Sequence, residues 1–462
     1  MSRRFREVVR PDVSVQLHPD PEGLVQVYGM NGEPVGIYTA WMYGVGEDEL
    51  AALRNTLNWA NVVEVKVIRN CMWACDRLGN PNPDPHCRAF DRFMDTLRLC
   101  TSLETLVFYG QGGRRGGNYY NLREIEFRKL AAVLPHLTKL RVLDLRWNSF
   151  LDDGMRAFLP ALPQLPNLEY LDLGNNPSIT DNCGLFRVLQ SCTRLRTLKL
   201  KDGCHQSIDI PTSDLSLTKL ELYRSHRTEA LANEYVHWIT AILYRCPLLE
   251  ELDLNYLLSG PRPERLIGFA NALRTCTSLT SLGLNNYEFD EEFDDIDDRD
   301  KLRPIFEVLP QLPSLRTLQI SGNEYNYVSV QLLQDVLPRC TSLTTLDISF
   351  QEYDWDNTPP FVVIQNPDDD PEQNDWMQFA VAEDTNRHPL HNLLRQILRN
   401  CPIEILNLSG LQLGVNPYYG QQIFIMLAHC PSLRRLNVSN NFIIEEYQQM
   451  IRESMEGVEI VF

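Results

Sequence analysis

The sequence contains no run of about 18 apolar residues, the length a helix needs to cross a bilayer, so no stretch reads as a membrane span. The charged start, Met1 to Arg10, is not followed by a signal-type apolar core either. Basic charge is scarce: 43 Lys and Arg stand against 61 Asp and Glu, for a net charge of −18. That balance argues against sequence-independent binding to nucleic acid or to an anionic membrane surface. Glycine (24) and proline (28) are too few, and hydrophobic residues (44%) too many, for a disordered chain. These deficits lead us to expect an ordered protein of the cytosol or nucleus.

Catalytic signatures are missing as well. There is no H-E-x-x-H, no G-x-S-x-G and no G-x-x-x-x-G-K-[ST]. Gly110-Gln-Gly-Gly-Arg-Arg-Gly-Gly117 falls between an expected strand and helix, as a phosphate loop would, yet Arg115 stands where a dinucleotide fingerprint requires glycine. It reads as a flexible insertion. Cys204 and His205 are chain neighbours, an arrangement that does not give a thiol and its base productive geometry. Cys71, Cys75, His86 and Cys87 supply the ligand types of a structural zinc site, but adjacent His86 and Cys87 do not readily aim at one ion, so no metal and no cofactor is the expectation.

What the sequence does have is a repeat. Leu140-Arg-Val-Leu-Asp-Leu-Arg-Trp-Asn148 fits L-x-x-L-x-L-x-x-N, and the frame returns at Leu168 to Asn176. Taking its first apolar position as a marker, the series runs Val62, Leu103, Leu140, Leu168, Leu195, Leu217, Leu249, Leu279, Leu315, Leu343, Ile403 and Leu433. The typical period is about 28 to 30 residues, with a gap of about 60 before Ile403 that leaves room for one degenerate repeat over residues 344–402. Phe361-Val-Val-Ile364 is a candidate for its strand, although it lacks the frame.

Apolar residues at the fourth and sixth positions, such as Leu252 and Leu254, alternate as in a half-buried strand. Between strands the spacing turns helical, as in Tyr235, Trp238, Ile239, Ile242 and Leu243. One strand–helix unit cannot bury its own apolar face, so units must stack and share a core.

On these motifs the chain resembles the leucine-rich-repeat superfamily, and its long, helix-containing units are similar to the ribonuclease-inhibitor-like class. The resemblance implies an α/β solenoid, a horseshoe with parallel concave strands, convex helices and a small N-terminal β-cap. We place that cap at 1–46, where Val13, Val15 and Leu17 alternate and Asn31-Gly32 signals a hairpin. The solenoid of twelve or thirteen units follows over 47–462, its first helix at Glu47 to Ala60, its last at Glu445 to Met455, and Val458 to Phe462 closing the stack. Acidic insertions near 290–300 and 354–375 read as solvated loops, without the ordered ligand spacing of an EF-hand.

Of twelve cysteines, Cys100, Cys192, Cys246, Cys276, Cys340 and Cys430 lie three residues before a marker and Cys401 two before, in a slot filled elsewhere by Leu137, Leu165 or Leu312. They read as small packing residues, too far apart to bridge. A reducing compartment follows.

If the fourth and sixth positions point inward, the third, fifth and seventh face the open side. The strand exits then offer Tyr109, Arg146, Trp147, Lys201, Tyr223, Arg224, Tyr256 and Phe350, an aromatic and arginine content typical of interface hot spots. The same aromatics also suit packing against the next loop. Arg141, Arg146, Arg196, Lys199, Lys201, Lys219 and Arg224 gather among the middle repeats, where Glu169, Asp172, Asp202 and Glu221 are available to pair with them. The reading is a non-enzymatic scaffold that binds another protein, of unknown identity, through its concave face and strand-exit loops. The resemblance also allows a regulator of a small GTPase, like the Ran GTPase-activating proteins, or a substrate receptor of a ubiquitin ligase, whose F-box residues 1 to 60 do not show.

Overall fold

The computed structural model describes residues 13–17, 24–29, 34–39, 59–68, 88–109, 124–148, 152–176, 184–201, 210–223, 229–255, 263–285, 303–322, 327–349, 389–411, 413–414 and 417–462. The chain forms two compact units, Met1–Arg224 and Ser225–Phe462.

In the first unit the repeats place β4 (Val62–Ile68), β5 (Thr105–Tyr109), β6 (Val142–Asp144), β7 (Tyr170–Asp172), β8 (Thr197–Lys201) and β9 (Lys219–Tyr223) side by side in chain order, all parallel. A parallel neighbour is out of reach of a hairpin, so the chain must return before each new strand. Helices α1 (Arg88–Leu97), α2 (Glu124–Val133), α3 (Asp152–Phe158) and α4 (Leu185–Leu189) make those returns. The three N-terminal strands break the pattern. β1 (Val13–Leu17) is parallel to β4, with Val15 opposite Val65, but antiparallel to β2 (Leu24–Gly29), which pairs antiparallel with β3 (Pro34–Thr39).

The second unit repeats the arrangement with α5 (Glu229–Leu243), α6 (Pro263–Leu273), α7 (Arg303–Phe306), α8 (Tyr327–Val336), α9 (Pro389–Asn400), α10 (Pro417–Ala428) and α11 (Glu445–Ser454). Its strands, parallel throughout, are β10 (Glu251–Asn255), β11 (Ser281–Gly283), β12 (Thr317–Gln319), β13 (Thr345–Asp347), β14 (Ile405–Asn407), β15 (Arg435–Asn437) and β16 (Glu459–Val461). β13 pairs directly with β14, Thr345 opposite Ile405. No strand from a degenerate repeat stands between them, which corrects that expectation; without apolar residues in the frame there is nothing to hold an extra rung. Phe361 to Ile364 themselves lie outside the described residues, as do Glu47 to Asn58 of the expected first helix.

The core follows the frame. Fourth- and sixth-position residues such as Leu143 and Leu145, Leu318 and Ile320, or Leu436 and Val438 are buried. From the helical side come residues 13, 10, 9, 6 and 3 before each marker: Phe90, Phe93, Met94, Leu97 and Cys100 ahead of Leu103, and Leu266, Phe269, Ala270, Leu273 and Cys276 ahead of Leu279, all buried. That spacing puts all five on one helix face. Phe93 meets Phe108 edge-on at 5.9 Å, joining α1 to β5.

The seven cysteines of the helix-end slot are buried free thiols. Where the helix ends, Cys100, Cys192, Cys276 and Cys340 each aim Sγ at the carbonyl four residues back, at 3.7 to 3.9 Å. Burial pushes Cys100 and Cys340 up to about 12 and Cys192, Cys276 and Cys401 up to about 11, so they stay protonated. Cys401, two residues and not three before its marker, turns its Sγ to the Cys340 carbonyl at 3.3 Å, and both thiols stay free.

Candidate protein-interaction surface

Five of the short strands end where the fifth-position side chain turns the backbone. Asp144 Oδ1 accepts the Arg146 N–H (3.1 Å), Asp172 Oδ1 that of Gly174 (2.9 Å), Asp347 Oδ1 that of Ser349 (2.9 Å), Asn407 Oδ1 that of Ser409 (3.1 Å) and Asn437 Oδ1 that of Ser439 (3.1 Å). These are Asx turns, which a short carbonyl-bearing side chain makes and a longer one does not. Where Lys199 or Glu221 holds the position, the strand continues to Lys201 or Tyr223.

Asp144 and Asp172 therefore do not stand open to a partner, contrary to the alternation argument. Asp144 is 3% and Asp172 4% exposed. They are partners across β6 and β7. Burial, then the neighbouring Asp172, raises Asp144 to about 6 against the pull of Arg146 Nη2 at 2.9 Å. Asp172 is also raised, mainly by burial, while Gly174 N–H, Arg146 and Tyr170 pull it down. The Tyr170 hydroxyl donates to Asp172 Oδ2 (3.1 Å) and is itself raised by burial.

Beyond the turn, a buried asparagine at the ninth position ties consecutive rungs. Asn148 Nδ2 donates to the carbonyls of Phe108 (2.8 Å) and Leu145 (2.9 Å), Asn176 Nδ2 to Leu145 (3.1 Å) and Leu173 (2.7 Å), and Asn441 Nδ2 to Leu408 (2.8 Å) and Val438 (2.9 Å).

Between turn and ladder, the eighth residue has positive φ in five of the described repeats. Gly322 (66°), Gly410 (72°), Asn175 (55°) and Asn440 (59°) suit that backbone. Trp147 occupies the same position at φ 62°. A bulky side chain is strained there. The indole is half-buried, and the Trp147 N–H is held by the Gly174 carbonyl at 2.9 Å. Neighbouring strand-exit positions in the second unit hold serines, Ser321, Ser349, Ser409 and Ser439, where the first unit has Arg146 and Lys201.

The basic cluster is largely paired off. Arg141 bridges Glu169 (2.8 Å) and Glu104 (3.7 Å), Lys199 and Lys219 share Glu221 (2.8 and 3.3 Å), and Arg196 donates to the Ser216 carbonyl (2.9 Å). The pairing with interleaved acids is thus the arrangement found. Tyr109, Lys201 and Tyr223 close β5, β8 and β9, with Lys201 and Tyr223 opposite one another. Arg224, Tyr256 and Phe350 lie outside the described residues, as do Cys71, Cys75, His86, Cys87, Cys204 and His205. Among the described residues no group of His, Cys, Asp and Glu is placed to hold a metal ion, and no helix is long and apolar enough to cross a membrane.

A family model described as Leucine Rich repeat matches residues 136–159 and 164–182, the rungs that carry Trp147 and the Asp144–Asp172 pair. No curated protein matches the sequence. Among solved structures, an internalin from Listeria monocytogenes is similar at 15% identity and a TM-score of 0.33, over 79% of this chain and 81% of that one. A leucine-rich-repeat protein of Leptospira interrogans is similar at 14% identity and 0.31, over 89% and 98%. A structure of Rad7 and Elc1 in complex, from yeast, is similar at 16% identity and 0.39, over 81% and 73%. Likenesses at this level carry no argument about what the chain binds.

Proposed function

We propose that this leucine-rich-repeat chain is a non-enzymatic scaffold that receives another protein on the strand side of its first unit, at the exits of β6 to β9. Trp147 carries the reading. A large aromatic sits half-exposed at a position where the fold favours glycine or asparagine, and a residue retained against its own backbone preference points to a use for its side chain. Arg146 beside it adds a guanidinium held by the Asp144 carboxylate, a common pairing at interface centres. Buried thiols in the helix-end slot suit a reducing location such as the cytosol or nucleus.

The test is quantitative affinity capture from the source cells with the wild type and Trp147→Asn. Asparagine is the residue at the same position in Asn175 and Asn440, so the variant keeps the fold. Selective loss of one or a few captured proteins is expected; equal recovery of every protein by both baits overturns the reading.

A further inference from the structure

The repeats supply their own internal control for surface chemistry. Twelve residues before the marker, the helices carry Asp91, Arg128, Arg156, His237, Arg303 and Gln421; α6 carries Ile267, which is 50% exposed. One residue before the marker, the turn holds Ser102, Asn167, Arg194, Ser278, Ser314, Ser342 or Ser432; after α5 it holds Leu248, 51% exposed. Five residues before, the described chain has Arg98, Gln190, Arg274, Ala428, a proline or the half-buried Leu398; just after α5 it has Tyr244, 50% exposed. Three rows that are mostly polar or small elsewhere thus carry exposed, large apolar residues on one pair of consecutive helices, α5 and α6.

These positions share a surface. His237 and Tyr244 are seven residues apart on one stripe of the α5 segment, and Ile267 and Arg274 match them on α6. Equal rows on neighbouring repeats adjoin, so Ile267 lies alongside His237 and Arg274 alongside Tyr244. None of the three apolar residues belongs to the core pattern of 13, 10, 9, 6 and 3 before the marker. Single exposed apolar side chains are ordinary on a protein surface; a cluster of them marks an interaction site.

Two arginines stand by the apolar residues on α6, while the exposed carboxylates of Glu250 and Glu251 follow Leu248. Arg274 is held by two amides, Nε donating to Gln311 Oε1 (3.0 Å) and Nη1 to Asn271 Oδ1. Arg265 is exposed, and neither arginine has a carboxylate partner among the described residues. His237, also exposed, adds a third nitrogen base.

We propose that the helical face formed by Tyr244, Leu248 and Ile267, with Arg265 and Arg274, is a second docking surface, for a protein segment in which large apolar side chains are flanked by carboxylates. Apolar anchors supply the burial, and the two guanidiniums, with no carboxylate partner among the described residues, select acidic over basic flanks. This surface stands or falls independently of the strand exits.

The experiment is fluorescence anisotropy on the full chain with three labelled peptides: leucine and phenylalanine anchors flanked by Asp and Glu, the same anchors flanked by Lys and Arg, and the acidic peptide with serine anchors. Saturable binding of the first alone is expected, weakening as salt rises. Leu248→Ser with Ile267→Arg places at both sites the residue types other repeats carry, so folding is preserved, and it should weaken binding at least tenfold. Arg274→Glu should reverse the flank preference. Equal binding of acidic and basic peptides, no binding of the acidic peptide, or full binding by the double variant overturns the proposal. Concentration-dependent dimerisation that the double variant abolishes would assign the face to a second copy of the chain and overturn it too.

Discussion

Asp144 and Asp172 face each other across two parallel strands, and each carboxylate accepts the backbone N–H two residues ahead of it. Two acids are thereby fixed side by side, nearly out of water, by the same device that ends their strands. Their proximity is a by-product of the repeat, and it has an energetic cost once the pH rises above about 6.

That cost should be measurable. The folded-state value of Asp144, raised from 3.8 to about 6, means that the folded chain holds this proton more tightly than the unfolded one. The associated stability is complete below about pH 4 and is lost as pH rises through about 6, on the order of 2 to 3 kcal/mol in all. Asp144→Asn keeps the turn, as Asn407 and Asn437 show, but removes the titration. Urea unfolding of variant and wild type across that window should give a difference that grows with pH in the variant's favour; a constant difference would reject the assignment.

Trp147→Gly is expected to stabilise the chain by about 1 kcal/mol by relieving left-handed strain, while abolishing the partner contact proposed above. A raised unfolding midpoint with unchanged circular dichroism is the supporting result. Destabilisation would mean that the indole packs more than it strains.

Asn148→Ala leaves the Phe108 and Leu145 carbonyls without their donor in a buried site. The expected loss is about 2 to 3 kcal/mol, read from denaturant midpoints. Asn441→Ala should behave alike in the second unit, since Asn441 makes the matching pair of bonds.

The seven helix-end cysteines should resist alkylation in the folded protein and become reactive together on unfolding, because their thiols are buried and, at Cys100, Cys192, Cys276, Cys340 and Cys401, shifted well above neutral pH. Peptide mapping after pulse labelling with iodoacetamide tests each one. Fast native labelling of Cys340 or Cys401 would show that this junction opens.

The strands and their inward side chains were legible because burial at two fixed offsets from a marker leucine leaves a strong periodic trace. The helix-end cysteines were legible for the same reason. What alternation could not convey was the turn. It assigned Asp144 and Asp172 to an open face, whereas an aspartate at a strand's last residue bonds its own backbone and is drawn inward. Part of the signal is in the sequence: lysine or glutamate at the fifth position accompanies a strand of five residues or more, and aspartate or asparagine a three-residue one, except at Asp253 in the five-residue β10. The patch on α5 and α6 was missed for a different reason. Periodicity reveals apolar positions that recur, and Tyr244, Leu248 and Ile267 are informative because they do not.

One further result concerns the junction at β13 and β14. Asn407 Nδ2 donates to Asp347 Oδ2 at 2.9 Å, so the chain leaves and re-enters the stack through a gate one rung wide, whatever length lies between. Engineering can exploit that doorway: a reporter domain or affinity handle whose termini lie close together can be spliced in after Phe350 and before Pro389 with little expected disturbance to register, giving a mid-chain tether that leaves both termini untouched.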